Sequence, residues 1–244
     1  MYYLFFFCLM LSSAPGQDAT EIVRRAEQHM KGNTSSSQVD VLIVRPNWSR
    51  EMSMKTWSKG NDYVMILVTA PAREKGIVYL KRDKEVWNWI PSIERNIKLP
   101  PSMMSQSWIG TDFTNDDLVK EASITEDYFH RIIRSEAVAE RDCYLVEMTP
   151  RPESAVVWGR VLLWIDKKDY LMMKAEYYDE DGELVNSMIC SEVRLMGGRL
   201  LPARMEMVPA EKKGNKTVLL YRDILFDKPI DDAFFSVDKL PYVK

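Results

Sequence analysis

A two-residue alternation of apolar and polar side chains runs through most of the chain and predicts a β protein. It begins at Val39, where Val39, Val41 and Ile43 share one face of a strand. Short connections such as Lys213-Gly214-Asn215 separate the later segments and have turn chemistry, so consecutive strands must be antiparallel. Strands are predicted at 39–43, 52–57, 63–69, 76–81, 85–90, 128–138, 143–149, 157–166, 172–178, 184–194, 199–208 and 217–226.

One segment has the periodicity of a substantial helix. Between residues 18 and 31, Ile22, Ala26 and Met30 recur every four residues. Asp18 and Glu21 have the spacing of a capping box at its start. We therefore predict a helix over 18–31, followed by a polar loop at 33–38.

The middle of the chain interrupts the strand pattern. Residues 100–113 mix Met, Trp, Pro and Gly with neither period. A short helix is predicted at 114–120, because Thr114 is a favoured N-cap and two acidic residues follow in the first turn. The pattern predicts a mainly β (α+β) fold: a strongly curved antiparallel sheet, or half-open incomplete β-barrel, with an N-terminal helix and a short helical lid.

The first residues indicate export. An unbroken apolar run from Leu4 to Leu11 precedes Ala14-Pro15-Gly16, which has the spacing of a signal-peptidase site, although no basic residue comes before the run. The run is shorter than the roughly 20 residues of a membrane-spanning helix. We expect a signal peptide at 1–16, cleaved near Gly16, and a single domain at 17–244.

Charge and cysteine content narrow the function classes. The net charge is −3, and no block of lysine and arginine stands out, so the sequence has no electrostatic feature for binding nucleic acid. After cleavage Cys143 and Cys190 remain. An oxidising compartment would permit a disulfide between them, but buried free thiols are also common, and the sequence does not decide between the two.

The residues that most enzymes require are scarce. The chain lacks the Gly-x-Ser-x-Gly, Gly-x-Gly-x-x-Gly, His-Glu-x-x-His and Cys-x-x-Cys motifs, and His29 and His130 are its two histidines. For both we expect a surface or core-edge role. The sequence predicts no catalytic residue, metal site or cofactor. A hydrolase or isomerase using Asp112, Asp116 and Asp117 is a minor alternative, because helix capping explains these acids better.

The apolar side chains are unusual in type. Seven Trp, eleven Tyr and fifteen Met occur in a chain with 28% charged residues. Trp87 and Trp89 share one face of a predicted strand while Val86 and Ile90 lie on the other, whereas one face of an antiparallel sheet is usually polar. Both faces are therefore expected to be covered. Methionine adapts to flexible ligands, but these residues also suit a large core.

Three segments carry a resemblance to a known family: 87–91 (WNWIP), 98–104 (KLPPSMM) and 108–118 (WIGTDFTNDDL). They resemble the outer-membrane lipoprotein-sorting protein family of the LolA-like superfamily, and the resemblance spans nearly the whole mature chain. It implies a lidded, half-open barrel that shields acyl chains in the periplasm. In the lipoprotein chaperone of that superfamily an arginine that helps to hold the lid occupies the position of Gly60.

The resemblance leads to a functional hypothesis, which is a periplasmic, monomeric carrier for lipoprotein acyl chains or another lipid, moving cargo towards the outer membrane. An RND-type exporter or the lipoprotein machinery of the inner or outer membrane is the expected handover partner. The alternative is a non-catalytic envelope interaction module that docks on such an exporter. The apolar groove and lid are predicted to consist of Trp57, Tyr79, Trp87, Trp89, Met103, Met104, Trp108 and Phe113.

Overall fold

A continuous antiparallel sheet forms the framework of the protein in a computed structural model that describes residues 18–83, 85–115, 117, 124–154 and 156–244. The predicted signal peptide at 1–16, Asp116 and residues 118–120 of the predicted short helix lie outside the described residues. The described strands are β1 Thr34–Arg45, β2 Trp48–Lys59, β3 Tyr63–Ala70, β4 Val78–Arg82, β5 Glu85–Ile90, β6 Arg95–Lys98, β7 Tyr128–Val138, β8 Arg141–Pro150, β9 Arg160–Asp166, β10 Met172–Tyr178, β11 Leu184–Met196, β12 Arg199–Pro209 and β13 Lys216–Phe226.

The strand order places the two ends of the strand sequence at the centre of the sheet. Strands β1 to β6 follow one another outwards to one edge, and β7 to β13 run inwards from the opposite edge. β13 then pairs antiparallel with β1, with Val41 opposite Leu219. Since β6 and β7 lie at opposite edges, the curved sheet is open and is not a closed barrel. The predicted fold class is confirmed.

The helix α1 spans Ala19–Lys31 and packs on one face of the sheet, called the helix face below. Asp18 is its N-cap and accepts a hydrogen bond from the Thr20 N–H at 3.0 Å. Ile22 and Ala26 are buried against the sheet and Met30 is partly buried, as the four-residue period predicts, and Val23 is buried beside them. The predicted capping box is wrong in its second half, because the Glu21 carboxylate instead binds the guanidinium groups of two arginines in the helix, Arg24 and Arg25.

Two local predictions are corrected by the structure. Residues 33–38 were expected to be a loop, but β1 already begins at Thr34, because small hydroxyl side chains pair across to β2. The edge strand β6 was not predicted. All four of its residues are exposed, so no alternation of apolar and polar side chains distinguishes it.

The opposite face of the N-terminal half is covered by the C-terminal segment, residues 231–243. This segment forms 3₁₀ turns at Asp232–Phe234 and Val237–Tyr242. Phe235 and Leu240 are fully buried in a cluster with Met65 and Leu80 of the sheet. Both faces of β3 to β5 are therefore covered, as their apolar pattern predicts.

The two cysteines of the domain are free thiols. Cys190 on β11 packs in the cluster on the helix face. Cys143 on β8 packs with Leu145 and Trp164 in a separate cluster. Because β9 and β10 separate the two strands, the disulfide left open by the sequence does not form.

Candidate functional site

An apolar cavity of about 190 Å³ lies between α1 and the helix face of the sheet. Both halves of the sheet contribute walls, so the pairing of β1 with β13 is what creates the site. Its apolar lining comprises Val23, Ala26, Met30, Val39, Met54, Trp57, Val64, Ile66, Trp108, Phe113, Ile124, Leu163, Ile165, Met172, Leu219, Tyr221 and Ile224.

The segment 99–115, called the cover segment, closes one side of this cavity. Its Trp108 is only 1% exposed and packs edge-on against Tyr79, with 5.6 Å between ring centroids. The backbone N–H of Trp108 donates to the backbone carbonyl of Phe113 at 2.8 Å, and the Thr111 hydroxyl donates to the backbone carbonyl of Trp108 at 2.7 Å. These bonds form a tight turn that holds Trp108 and Phe113 towards the cavity.

Asp112 anchors the cover segment to the sheet. Its carboxylate pairs with Arg45 at the end of β1, at 3.0 Å, and accepts a hydrogen bond from the Thr217 hydroxyl on β13 at 2.7 Å. The side chains of Arg45 and Asp112 are 13% and 6% exposed. Asp112 is therefore committed to structural contacts at the junction of the two halves.

Asp117 lies where the cover segment turns helical. It forms a capping box with Thr114: the Thr114 N–H donates to Oδ2 at 2.8 Å, and the Thr114 Oγ1 accepts from the Asp117 N–H at 3.0 Å. Oδ1 accepts from the Trp158 indole N–H at 3.0 Å. Burial raises the pKa of Asp117, although these hydrogen bonds act in the opposite direction.

A second apolar cavity, of about 130 Å³, adjoins the first beneath the C-terminal half of the sheet. The two cavities share Phe113, Asp117, Ile124, Leu163 and Met172 as lining residues. An apolar cavity of about 150 Å³ admits a molecule the size of benzene. Each cavity therefore has room for a short stretch of hydrocarbon, and a longer chain has to displace part of the cover.

A charged group marks the mouth of the first cavity. Glu27 and Lys31 on α1 form an ion pair at 2.9 Å, and the Thr125 hydroxyl donates to the second carboxylate oxygen of Glu27 at 2.5 Å. Both charged residues and Gly60 line the cavity and an adjoining surface groove rich in charged side chains. The lining therefore changes from apolar inside to charged outside.

The structure separates the eight predicted groove residues into three groups. Trp108 and Phe113 line the cavity, and Trp57 borders it while its ring packs against Phe234 on the opposite face. Tyr79 lies behind Trp108. The other four lie away from the cavity: Trp87 and Trp89 pack in the cluster under the C-terminal segment, Met104 packs beside Val86 and Leu99, and Met103 is 38% exposed.

Sequence reasoning missed most of the cavity wall. The helix residues Ala26 and Met30 were assigned to packing, Val23 was not singled out, and Leu163 and Leu219 come from distant strands. Ser35 and Ser37, which also line the cavity, were not predicted, because residues 33–38 were expected to form a loop. Their alternation, on the same face as Val39, was the available indication.

The histidines occupy structural positions. The ring of His29 is hydrogen-bonded to the Leu200 carbonyl at 2.8 Å, and the ring of His130 to the Ile124 carbonyl at 2.9 Å. Burial lowers the pKa of His130. In the part of the chain that the structure describes, no three His, Cys, Asp or Glu side chains are grouped to hold a metal ion. Among the same residues no helix is long and apolar enough to cross a membrane.

Solved structures share this architecture along nearly the whole chain, and they define its class as the LolA-like fold. A LolA superfamily protein from Nitrosomonas europaea is 26% identical, with a TM-score of 0.78 over 91% of this chain and 99% of the other. A DUF1329 family protein from Desulfovibrio piger is 23% identical, with a TM-score of 0.82 over 92% and 100%. A domain from Vibrio parahaemolyticus, named for outer membrane lipoprotein sorting, is 19% identical, with a TM-score of 0.81 over 91% and 98%.

Family membership rests on a direct sequence match. A family model described as an uncharacterized protein matches residues 60–241, well over half of the chain, and the protein belongs to that family. No curated protein matches the sequence. The resemblance to the LolA-like superfamily, first seen in the segments between Trp87 and Leu118, is confirmed by the structural neighbours.

Proposed function

We propose that the protein is a carrier that shields the acyl chains of a lipoprotein or another lipid during transfer through the periplasm towards the outer membrane. The observation that supports this proposal is the apolar cavity between α1, the cover segment and both halves of the sheet. No catalytic step belongs to this function. Transfer of each methylene from water contributes about 0.8 kcal/mol, so an apolar cavity alone provides affinity.

Release of the cargo then depends on a state with different affinity for the lipid. The two cavities have room for only part of an acyl chain. A longer chain needs a larger cavity, and the cover segment closes the side on which it could enlarge. We propose that this segment moves to admit cargo and returns when a partner removes it. An RND-type exporter or the lipoprotein machinery is the proposed partner, and the carrier acts as a monomer.

Filling the cavity tests the carrier function. Ala26 is buried on α1 and lines the cavity, so Ala26→Phe is expected to occupy space that a lipid needs. We expect this variant to lose at least tenfold in affinity for a fluorescent fatty-acid analogue that the wild-type protein binds. Gln28→Phe is the matched control, because Gln28 lies on the exposed side of the same helix.

Native mass spectrometry of protein purified from a periplasm gives an independent reading. The carrier function predicts a copurifying lipid that is reduced in Ala26→Phe at unchanged circular dichroism. Absence of any lipid, together with no binding of the analogue by the wild-type protein, would overturn the proposal.

A docking module is the second candidate. Exposed apolar side chains near the β6 edge, Ile93 and Ile97, favour it, since they suit contact with another protein. This function predicts an interaction with an envelope complex that survives removal of lipid and is lost in an Ile93→Ser/Ile97→Ser variant.

A further inference from the structure

Four hydroxyl side chains form a small polar patch on one wall of the mainly apolar cavity. Ser35 and Ser37 on β1 lie opposite Ser58 and Thr56 on β2. The Ser35 and Ser58 oxygens are 2.8 Å apart, and those of Ser37 and Thr56 are 2.6 Å apart. All four residues line the cavity, so they are called the hydroxyl patch.

Each pair in the hydroxyl patch keeps one O–H donor. A hydroxyl has one proton, and one proton serves the hydrogen bond within the pair. The second proton of each pair has no acceptor among the described residues. The neighbours in register are apolar: Ile66 and Ile224 flank the inner pair, and Val64 and Phe226 flank the outer one. Ser37 is buried, and Ser35, Thr56 and Ser58 are half-buried. A donor that is withdrawn from water without an acceptor is unfavourable, so a ligand that covers the patch is favoured when it brings an acceptor.

The hydroxyl patch lies between the apolar interior of the cavity and its charged mouth. Along the same face of β1 and β2, the next pair inwards is Val39 and Met54, which pack with Trp108. Successive pairs on one face of a sheet are about 7 Å apart. Outwards lie Gly60 and the Glu27–Lys31 ion pair at the mouth. The order from inside to outside is therefore apolar, hydroxyl, charged.

An acyl lipid has groups in the same order: a hydrocarbon tail, an ester or amide carbonyl, and a polar head. We propose that the hydroxyl patch is a binding site for the acyl carbonyl, with the tail directed towards Met54 and Trp108 and the head towards Glu27 and Lys31. The inference rests on the proposed carrier function and narrows its cargo. The cargo is a fatty-acyl ester or amide, and a hydrocarbon-rich lipid without such a carbonyl binds less well.

A pair of lipids that differ only in the carbonyl tests the inference. The purified protein is titrated with palmitoyl lysophosphatidylcholine and with its hexadecyl ether analogue, in which CH₂ replaces the carbonyl. One net hydrogen bond predicts a preference of about threefold to tenfold for the ester.

The double variant Ser37→Ala/Thr56→Val removes one hydroxyl pair as a unit and leaves no orphaned partner. It is expected to lose most of the ester preference while its affinity for the ether stays unchanged. Ser35→Ala/Ser58→Ala repeats the test at the outer pair should the first variant fail to fold. Ser53→Ala is the matched control, because Ser53 lies on the same strand and bonds Asp40 on the other face of the sheet, at 2.7 Å.

The outcomes separate the inference from the carrier function. Equal affinity of the wild-type protein for ester and ether, or an ester preference that persists in both double variants, overturns the hydroxyl patch but leaves the carrier intact. Failure of the wild-type protein to bind either lipid overturns the carrier function itself.

Discussion

Asp117 has a carboxylate in surroundings that disfavour its charge. It lines both cavities, and burial is the largest influence on its pKa, which is raised above the ordinary value of 3.8. The folded state therefore holds the proton more tightly than the unfolded chain. By linkage, the free energy of unfolding falls as the pH rises above 3.8, and the loss is complete above the folded-state pKa.

Substitution of Asp117 should change this pH dependence. We expect the wild-type protein to lose stability relative to Asp117→Asn as the pH rises above the ordinary carboxyl pKa, because asparagine keeps an acceptor for Trp158 but does not ionise. Urea unfolding at several pH values measures the difference, and a constant difference would contradict it. Asp227→Asn is a control of opposite sign, since the Asn33 backbone N–H lowers the pKa of Asp227 below 3.8. Relative to this variant the wild-type protein should gain stability as the pH rises towards 3.8 and change little above it.

The thiols should be inert in the folded protein. Burial raises the pKa of Cys190 to about 12, and burial together with the nearby Asp166 raises that of Cys143 to about 11. The reactive thiolate is therefore almost absent at pH 8. We expect neither thiol to react with a disulfide reagent until denaturant is added, when both should react. Rapid labelling of the native protein would argue against the burial described.

At the scale of single elements, the C-terminal segment is predicted to hold the N-terminal half of the sheet together. Phe235 is fully buried and stacks on Tyr63, with 5.3 Å between ring centroids. Phe235→Ala should lower the free energy of unfolding by about 3–5 kcal/mol. Tyr242→Ala removes a side chain that is 73% exposed and should stay within about 0.5 kcal/mol of the wild-type protein.

Lipid binding by the Phe235→Ala variant tests whether the C-terminal segment affects the cavity as well as stability. The segment packs on the face opposite the cavity, so Phe235→Ala should bind the fluorescent fatty-acid analogue normally while it remains folded. A large loss of binding at full folding would mean that the two faces are coupled.

Strands with clear alternation were predictable from the sequence, and elements without it were not. β5 and β10 match their predicted bounds, because turn residues flank a periodic run. β6 was missed, since an exposed edge strand needs no apolar face. The site was harder to predict. Trp87 was assigned to the groove from its residue type and the family resemblance, but its face of β5 is the one under the C-terminal segment. Pattern predicts which residues share a face, and only tertiary packing decides what covers that face.

At the scale of the whole molecule, β1 should couple the two halves into one folding unit. Ile43 is fully buried on β1, which has β2 on one side and β13 on the other. Ile43→Ala should lower stability by about 2–5 kcal/mol. Tryptophan fluorescence and far-UV circular dichroism should shift together, because tryptophans occur in both halves. Ile97→Ala, on the β6 edge, is the control and should change little.

Separate transitions for the two signals would contradict this coupling. In that case the halves would melt independently, and the cavity they share would be lost before the rest of the sheet unfolds.

The pairing of β1 with β13 also determines when the sheet can be completed during synthesis of the chain. Ser35 meets Phe226, so the central strand acquires its second neighbour only when nearly the whole chain has been made. At ordinary rates of translation this takes roughly 10 to 40 s. During that interval β1 presents an unpaired edge that a neighbouring nascent chain could occupy. Until β13 is available, this edge of β1 is therefore open to pairing with another chain.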